Sequence, residues 1–194
     1  MTFSLCLTLS APLWLYAAEL PSLPEPVSNN LVMTTTVAGR TYVASFMGLA
    51  SGKTHADVHN RVWQWTVGEP TWLKAPAVPS RQRLSGRLAS SGVTLQNHFF
   101  IFGGYTVAAN GTEVSSAEGY RYSPVTKAYN KLPDMPVAVD DSVALAYNNR
   151  YIYLASGWSQ DGNVNLVQVF DNFTQKWSPV SYTHLRAHET VLDL

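Results

Sequence analysis

The sequence predicts an all-β chain assembled from small antiparallel sheets set around an axis, and three observations carry that expectation. Apolar strands ending in glycine recur, with Gly48, Gly104 and Gly157 spaced 56 and 53 residues apart. Each is followed by a polar loop, an aromatic-rich strand and a closing aromatic; Trp72, Tyr129 and Trp177 mark that position at intervals of 57 and 48, the third loop being shorter. Composition agrees: 46% hydrophobic, 12% aromatic and only 13% charged residues, without long runs of Glu, Lys, Ala and Leu at helical spacing. A period near fifty residues with four short strands per unit describes the blades of a propeller rather than a helical solenoid.

The elements follow in order. The first unit reads LVMTTTVAGRTYVASFMG, a loop LASGKTHADVHN, then RVWQW and TWLKAPAVP. The second reads LASSGVTLQNHFFIFGG, a loop YTVAANGTEVSSAEG, then YRYSPVTKAYNKLPDMP. The third reads SVALAYNNRYIYLASGW, a loop SQDGNVN, then LVQVFDNFTQKWSP. Blades are expected over 27–79, 80–136 and 137–180. In FFIFGGY the paired glycines end a buried strand where close backbone approach and positive φ are needed. The large aromatics Trp63, Trp65, Trp72, Tyr120, Tyr122, Tyr129, Phe170 and Trp177 are expected to fill the wedges between blades, because rings bury the most area.

These features resemble the kelch repeat: Gly103-Gly104 after an apolar strand and before an aromatic, the Asp-to-Trp spacing of VFDNFTQKW, and the closing LPDMP. Met47-Gly48 and Ser156-Gly157 depart from the double glycine. The resemblance covers roughly 27 to 180 and implies a kelch-type β-propeller fragment, about three four-stranded blades of a larger ring.

The ends of the chain read differently. Residues 1–18 are almost free of charge and finish in small residues, as an export signal does, processing after Ala17 fitting better than after Ala18. A proline-rich linker, 19–26, follows. The signal implies a periplasmic or secreted protein. The run is too short and broken for a membrane span. Cys6 lies inside it, so the processed chain has no thiol for a disulfide, a metal or a nucleophile. At the other end, SYTHLRAHET in residues 181–194 resembles a translated sequencing adapter; His184 and His188 are therefore not read as a zinc pair, and native sequence is expected to stop near Ser178. Thirteen basic residues balance thirteen acidic ones with no basic run, which argues against nucleic acid as a partner.

In a four-stranded blade the loop between strands two and three and the blade-to-blade connection emerge on one face. Here they carry His55, Asp57, His59 and Asn60, then Arg81, Arg83 and Arg87, then Glu113 and Glu118, then Asp140, Asp141, Trp158, Asp161, Asn163 and Asn165. His59, Asn60, Arg81, Trp158, Asn163 and Asn165 are the candidate ligand-binding residues, with the Trp158 indole as a platform for a sugar face. Asp140 and Asp141 are candidate acid/base carboxylates, although neighbours on a strand point to opposite faces, so one of them faces the channel. Arg87 is a candidate partner for a ligand carboxylate. Each has a structural alternative: solvated loop histidines, a turn-capping aspartate, surface ion pairs, a packed indole. No metal and no cofactor is expected, since His55 and His59 lack a third ligand and no phosphate loop or nucleophile elbow occurs.

Two functions of different class remain open. One is an exported module binding a carbohydrate or protein ligand through its channel-mouth loops. The other is an enzyme: exported bacterial kelch chains are similar to sialic-acid mutarotases, and that resemblance implies that Asp140 or Asp141 would move a proton while Arg87 held the substrate carboxylate. Copper oxidation of the galactose oxidase type on the same fold is disfavoured by the lack of a cysteine for a cross-linked cofactor.

Overall fold

The computed structural model describes residues 20–80 and 86–180. The expected export segment, the 181–194 tail and Arg81 lie outside the described residues. Sixteen strands follow in chain order: β1 Leu31–Val37, β2 Arg40–Leu49, β3 Val58–Thr66, β4 Leu73–Ala75, β5 Ser91–Leu95, β6 His98–Phe102, β7 Tyr105–Val107, β8 Glu113–Ser115, β9 Gly119–Tyr122, β10 Tyr129–Lys131, β11 Val143–Tyr147, β12 Tyr151–Ala155, β13 Trp158–Ser159, β14 Gly162–Asn163, β15 Val167–Asp171 and β16 Lys176–Val180.

Twelve of them form three four-stranded antiparallel sheets, β1-β2-β3-β4, β5-β6-β9-β10 and β11-β12-β15-β16, each pairing its strands in sequence order. Tight turns make this possible: Ala38-Gly39, Gln96-Asn97 and Asn148-Asn149 all take the positive φ that joins two twisted strands in register. Strand β5 packs against both β1 and β11, so the first strand of every blade lies nearest the axis. Side chains tie the inner strands together, Thr94 Oγ1 donating to the Thr34 carbonyl at 2.8 Å and Ser91 Oγ to the Ser142 carbonyl at 2.5 Å.

The core lies between blades. Met33, Ala44, Phe46 and Val62 of the first blade meet Phe99, Ile101, Tyr120 and Tyr122 of the second. The opposite face of the second, Leu95, Phe100, Phe102 and Leu132, meets Ile152, Leu154 and Phe170 of the third. Alternation along β6 sends Phe99 and Ile101 one way and Phe100 and Phe102 the other, which is why the run is uniformly apolar.

The expectation for Trp63, Trp65 and Trp72 is corrected to this extent, that they do not fill the wedge between the first and second blades. Trp63 and Trp65 pair with Ser45 and Val43, one residue out of phase with Phe46 and Ala44, and so face outward from the first blade. There they meet the incoming chain: Trp72 Nε1 donates to the Pro21 carbonyl and Trp63 Nε1 to Glu25, both at 2.7 Å, while Arg61 forms an ion pair with Glu25 at 2.7 Å.

The loops also differ from their expected form. His59 and Asn60 lie on β3, after a 3-10 turn at His55–Asp57, rather than in a loop. The second-blade loop folds back as the β7–β8 hairpin and the third-blade loop as the β13–β14 ribbon. Both gain backbone pairing that an open polar loop would leave to water.

Candidate functional site

The glycine positions build the site. Met47-Gly48, Gly103-Gly104 and Ser156-Gly157 all have positive φ at both residues. The turn delivers the next residue, Leu49, Tyr105 or Trp158, into a two-residue bridge with the lead-in to the inner strand, at Ser28, Leu88 or Asp140. A Cβ on the second glycine would come within 2.8, 2.6 and 2.5 Å of the carbonyls of those same three partners. Glycine is required there because the bridge brings two backbones together. The first position tolerates Met47 and Ser156, but at Gly103 a Cβ would meet the Val139 carbonyl at 2.0 Å.

In the third blade this device puts two candidate residues side by side, Asp140 and Trp158 exchanging both backbone hydrogen bonds at 2.9 Å. The β7–β8 hairpin of the second blade reaches across, and Ser115 Oγ donates to Asp140 Oδ2 at 2.6 Å. Between hairpin and ribbon lies a cleft of about 360 Å³, lined by Thr112, Glu113, Ser115, Asp140, Trp158 and Gln160 among others. Trp158 is 49% exposed and Asp140 only 3%. Burial raises the Asp140 carboxyl above the ordinary aspartate range; the Ser115 hydrogen bond opposes the shift, and the negative charges of Asp141 and Glu113 add to it.

The other candidates are placed as follows. Asn163 is exposed and pairs with Trp158 across the ribbon, and Asn165 is exposed just beyond it. Asp141 is exposed at φ +49°, and its N–H donates to the Ala89 carbonyl, so the two aspartates do diverge, at a bridge rather than along a strand. Asn60 Nδ2 donates to the Val78 carbonyl at 3.1 Å, clamping the connection to the next blade.

Arg87 is 3% exposed, with Nη1 3.1 Å from Ser116 Oγ and 3.4 Å from Glu118 Oε2 and the guanidinium 5.7 Å from the Tyr120 ring. Burial opposes its charge and Glu118 offsets that opposition. His59 is buried with neither ring nitrogen hydrogen-bonded, and burial, then Arg61, lowers its pKa against the pull of Glu25. The structure thus brings together Asp140, Trp158 and Asn163, and sets Arg87, His59 and Asn60 apart from the cleft. Among the described residues no group of three or more metal-binding side chains occurs.

Sequence reasoning missed Ser115. The Asn110-Gly111 dipeptide, where the Thr112 N–H donates to Asn110 Oδ1, is the hairpin signal that would have folded Ser115 back toward the third blade.

Comparison with known proteins bears on the repeat. The Kelch motif family matches residues 86–136, the second blade with its Gly-Gly turn and Arg87–Glu118 pair. The second blade thus carries a Kelch motif, and the three sheets are blades of a β-propeller. A solved structure titled "Structure of YjhT" is similar to this chain in fold, with 17% identity and a TM-score of 0.63 over 84% of the chain. The chain spans 53% of that structure's length. No curated protein matches it in sequence.

Proposed function

We propose that the protein is an exported binding module that takes a sugar ring in the Asp140–Trp158 cleft. The observation that carries this reading is the half-exposed Trp158 indole, set in one cleft with Asp140, Glu113 and Ser115. An aromatic plane receives the C–H face of a pyranose, and hydrogen-bonding groups beside it take the ring hydroxyls. The export reading rests on residues 1–18. Calorimetric titration with neutral monosaccharides, galactose and N-acetylglucosamine, tests the proposal. Saturable heat is expected with at least one, weakened at least tenfold by Trp158→Ala; no saturable heat from either, or equal affinity in the variant, overturns it.

A second reading, a mutarotase, is favoured by one feature, the raised pKa of Asp140 at the wall of the cleft. A protonated Asp140 would donate to the ring oxygen as the anomeric hydroxyl gave its proton to Glu113. The ring C–O bond breaks as the carbonyl forms. Reclosure on the other carbonyl face, with the ring hydroxyl returning its proton to Asp140 and Glu113 returning its proton to the former carbonyl oxygen, gives the opposite anomer and restores both carboxyl groups. A sialic acid brings a carboxylate, and among the described residues the cleft's lining includes no Lys or Arg, while Arg87 is engaged with Glu118. A neutral sugar therefore suits this reading better. Exchange NMR of sugar anomers tests it: acceleration over solvent, lost in Asp140→Asn, supports catalysis, and no acceleration leaves plain binding.

A further inference from the structure

The repeat allows one wedge to be compared with the other. In the first blade Gln64 lies on β3 opposite Ala44, four residues before Gly48, and faces the second blade. Its Nε2 donates to the Pro124 carbonyl at 3.0 Å and its Oε1 accepts from the Tyr122 hydroxyl at 3.0 Å. The amide is thereby satisfied, and the wedge is closed.

In the second blade the same place, opposite Phe100 and four residues before Gly104, holds Arg121. The residue in the third blade that matches Tyr122 is Phe170, opposite Ile152, which has no hydroxyl to offer. Arg121 Nε is buried without a hydrogen-bond partner, and Nη2 reaches only Asn130 Oδ1, at 3.4 Å. The wedge opens instead into a pocket of about 360 Å³ lined by Gln96, Arg121, Asn149, Arg150, Asn172 and Phe173.

The second arginine of this pocket is already neutralised. Arg150 donates twice to Asp171, Nε to Oδ1 at 2.9 Å and Nη2 to Oδ2 at 2.6 Å. The Arg121 charge has no carboxylate within reach among the described residues. Gln96 and Asn172 hold the rim in place, Gln96 Nε2 donating to the Asn149 carbonyl at 2.8 Å and Asn172 Nδ2 to Gln96 Oε1 at 3.1 Å. A guanidinium with spare donors, amide side chains around it and net positive charge match an anion with several acceptor oxygens.

We propose that the wedge between the second and third blades is an oxyanion site, taking the carboxylate or phosphate group of a small ligand against Arg121. It uses the turns between first and second strands and the β15–β16 turn, on the face of the molecule away from the Asp140–Trp158 cleft, and stands independently of the sugar-binding reading.

Equilibrium dialysis of the full chain with radiolabelled citrate and, separately, inorganic phosphate tests it, and tells a carboxylate ligand from a phosphate one. Saturable binding of at least one is expected, lowered tenfold or more by Arg121→Gln, the residue that the first blade carries at this place. Asn149→Asp, at an exposed rim position that tolerates aspartate, adds a negative charge without touching the core and is expected to weaken binding similarly. Absence of saturable binding of both anions, or affinity unchanged in a folded variant of either kind, overturns the proposal.

Discussion

Asp140 shows how one side chain is set by its surroundings. Its carboxyl is buried in a bridge between two backbones, hydrogen-bonded by one hydroxyl and faced by two further acids. The raised pKa has a definite consequence for stability. The unfolded aspartate titrates near 3.9, the folded one higher, so the folded state holds its proton longer. The favourable contribution is present below the unfolded value and is lost as pH rises through the folded one. Above the folded value the charged carboxylate therefore opposes folding. Asp140→Asn, which keeps an acceptor for Ser115, is expected to raise Tm by a few degrees at pH 7, with the gain shrinking toward pH 3. Thermal melts across that range check it; a variant less stable at pH 7 than the wild type would remove the assignment. The Asp140-Asp141 pair was legible in the sequence, but the partnership with Ser115 was not, because it depends on two loops from different blades meeting.

At the scale of the element, the double glycine is two positions with different demands. Both need positive φ, a conformation that costs an ordinary residue about 1–3 kcal/mol. Only the second also stands against a neighbouring carbonyl in every blade. Gly104→Ala is thus expected to be strongly destabilising, since strain and the Leu88 carbonyl act together. Ser156→Gly relieves strain at φ +60° and gives up the Ser156 Oγ bond to the Val164 carbonyl, leaving little net change. Denaturant melts of the two variants check the contrast, and equal losses would contradict it. The departures Met47 and Ser156, visible in the sequence, fall at the position where the fold permits them.

Across the whole molecule, each blade offers the next a set of apolar side chains in a fixed register. Met33 of β1 and Val93 of β5 use their shared place to pack against the following blade. Leu145 of β11 occupies the same place and is 59% exposed, with Val143 and Tyr147 exposed beside it. Such an apolar strand face favours association. The full chain is expected to sediment with a concentration-dependent coefficient, and Leu145→Lys with Tyr147→Lys to suppress that dependence. A chain that sediments identically at all concentrations would contradict this expectation.

The four-strand period, the glycine turns and the all-β class could be read from sequence because they depend on neighbours along the chain: alternation, turn chemistry and the need for positive φ are local. Which face of a strand an aromatic takes, whether Arg87 meets solvent or Glu118, and whether Arg121 finds a partner were decided only by tertiary structure. Those outcomes depend on register between strands and on the residue that the adjoining blade presents, and a one-residue change in phase reverses them, as Trp63 and Trp65 demonstrate.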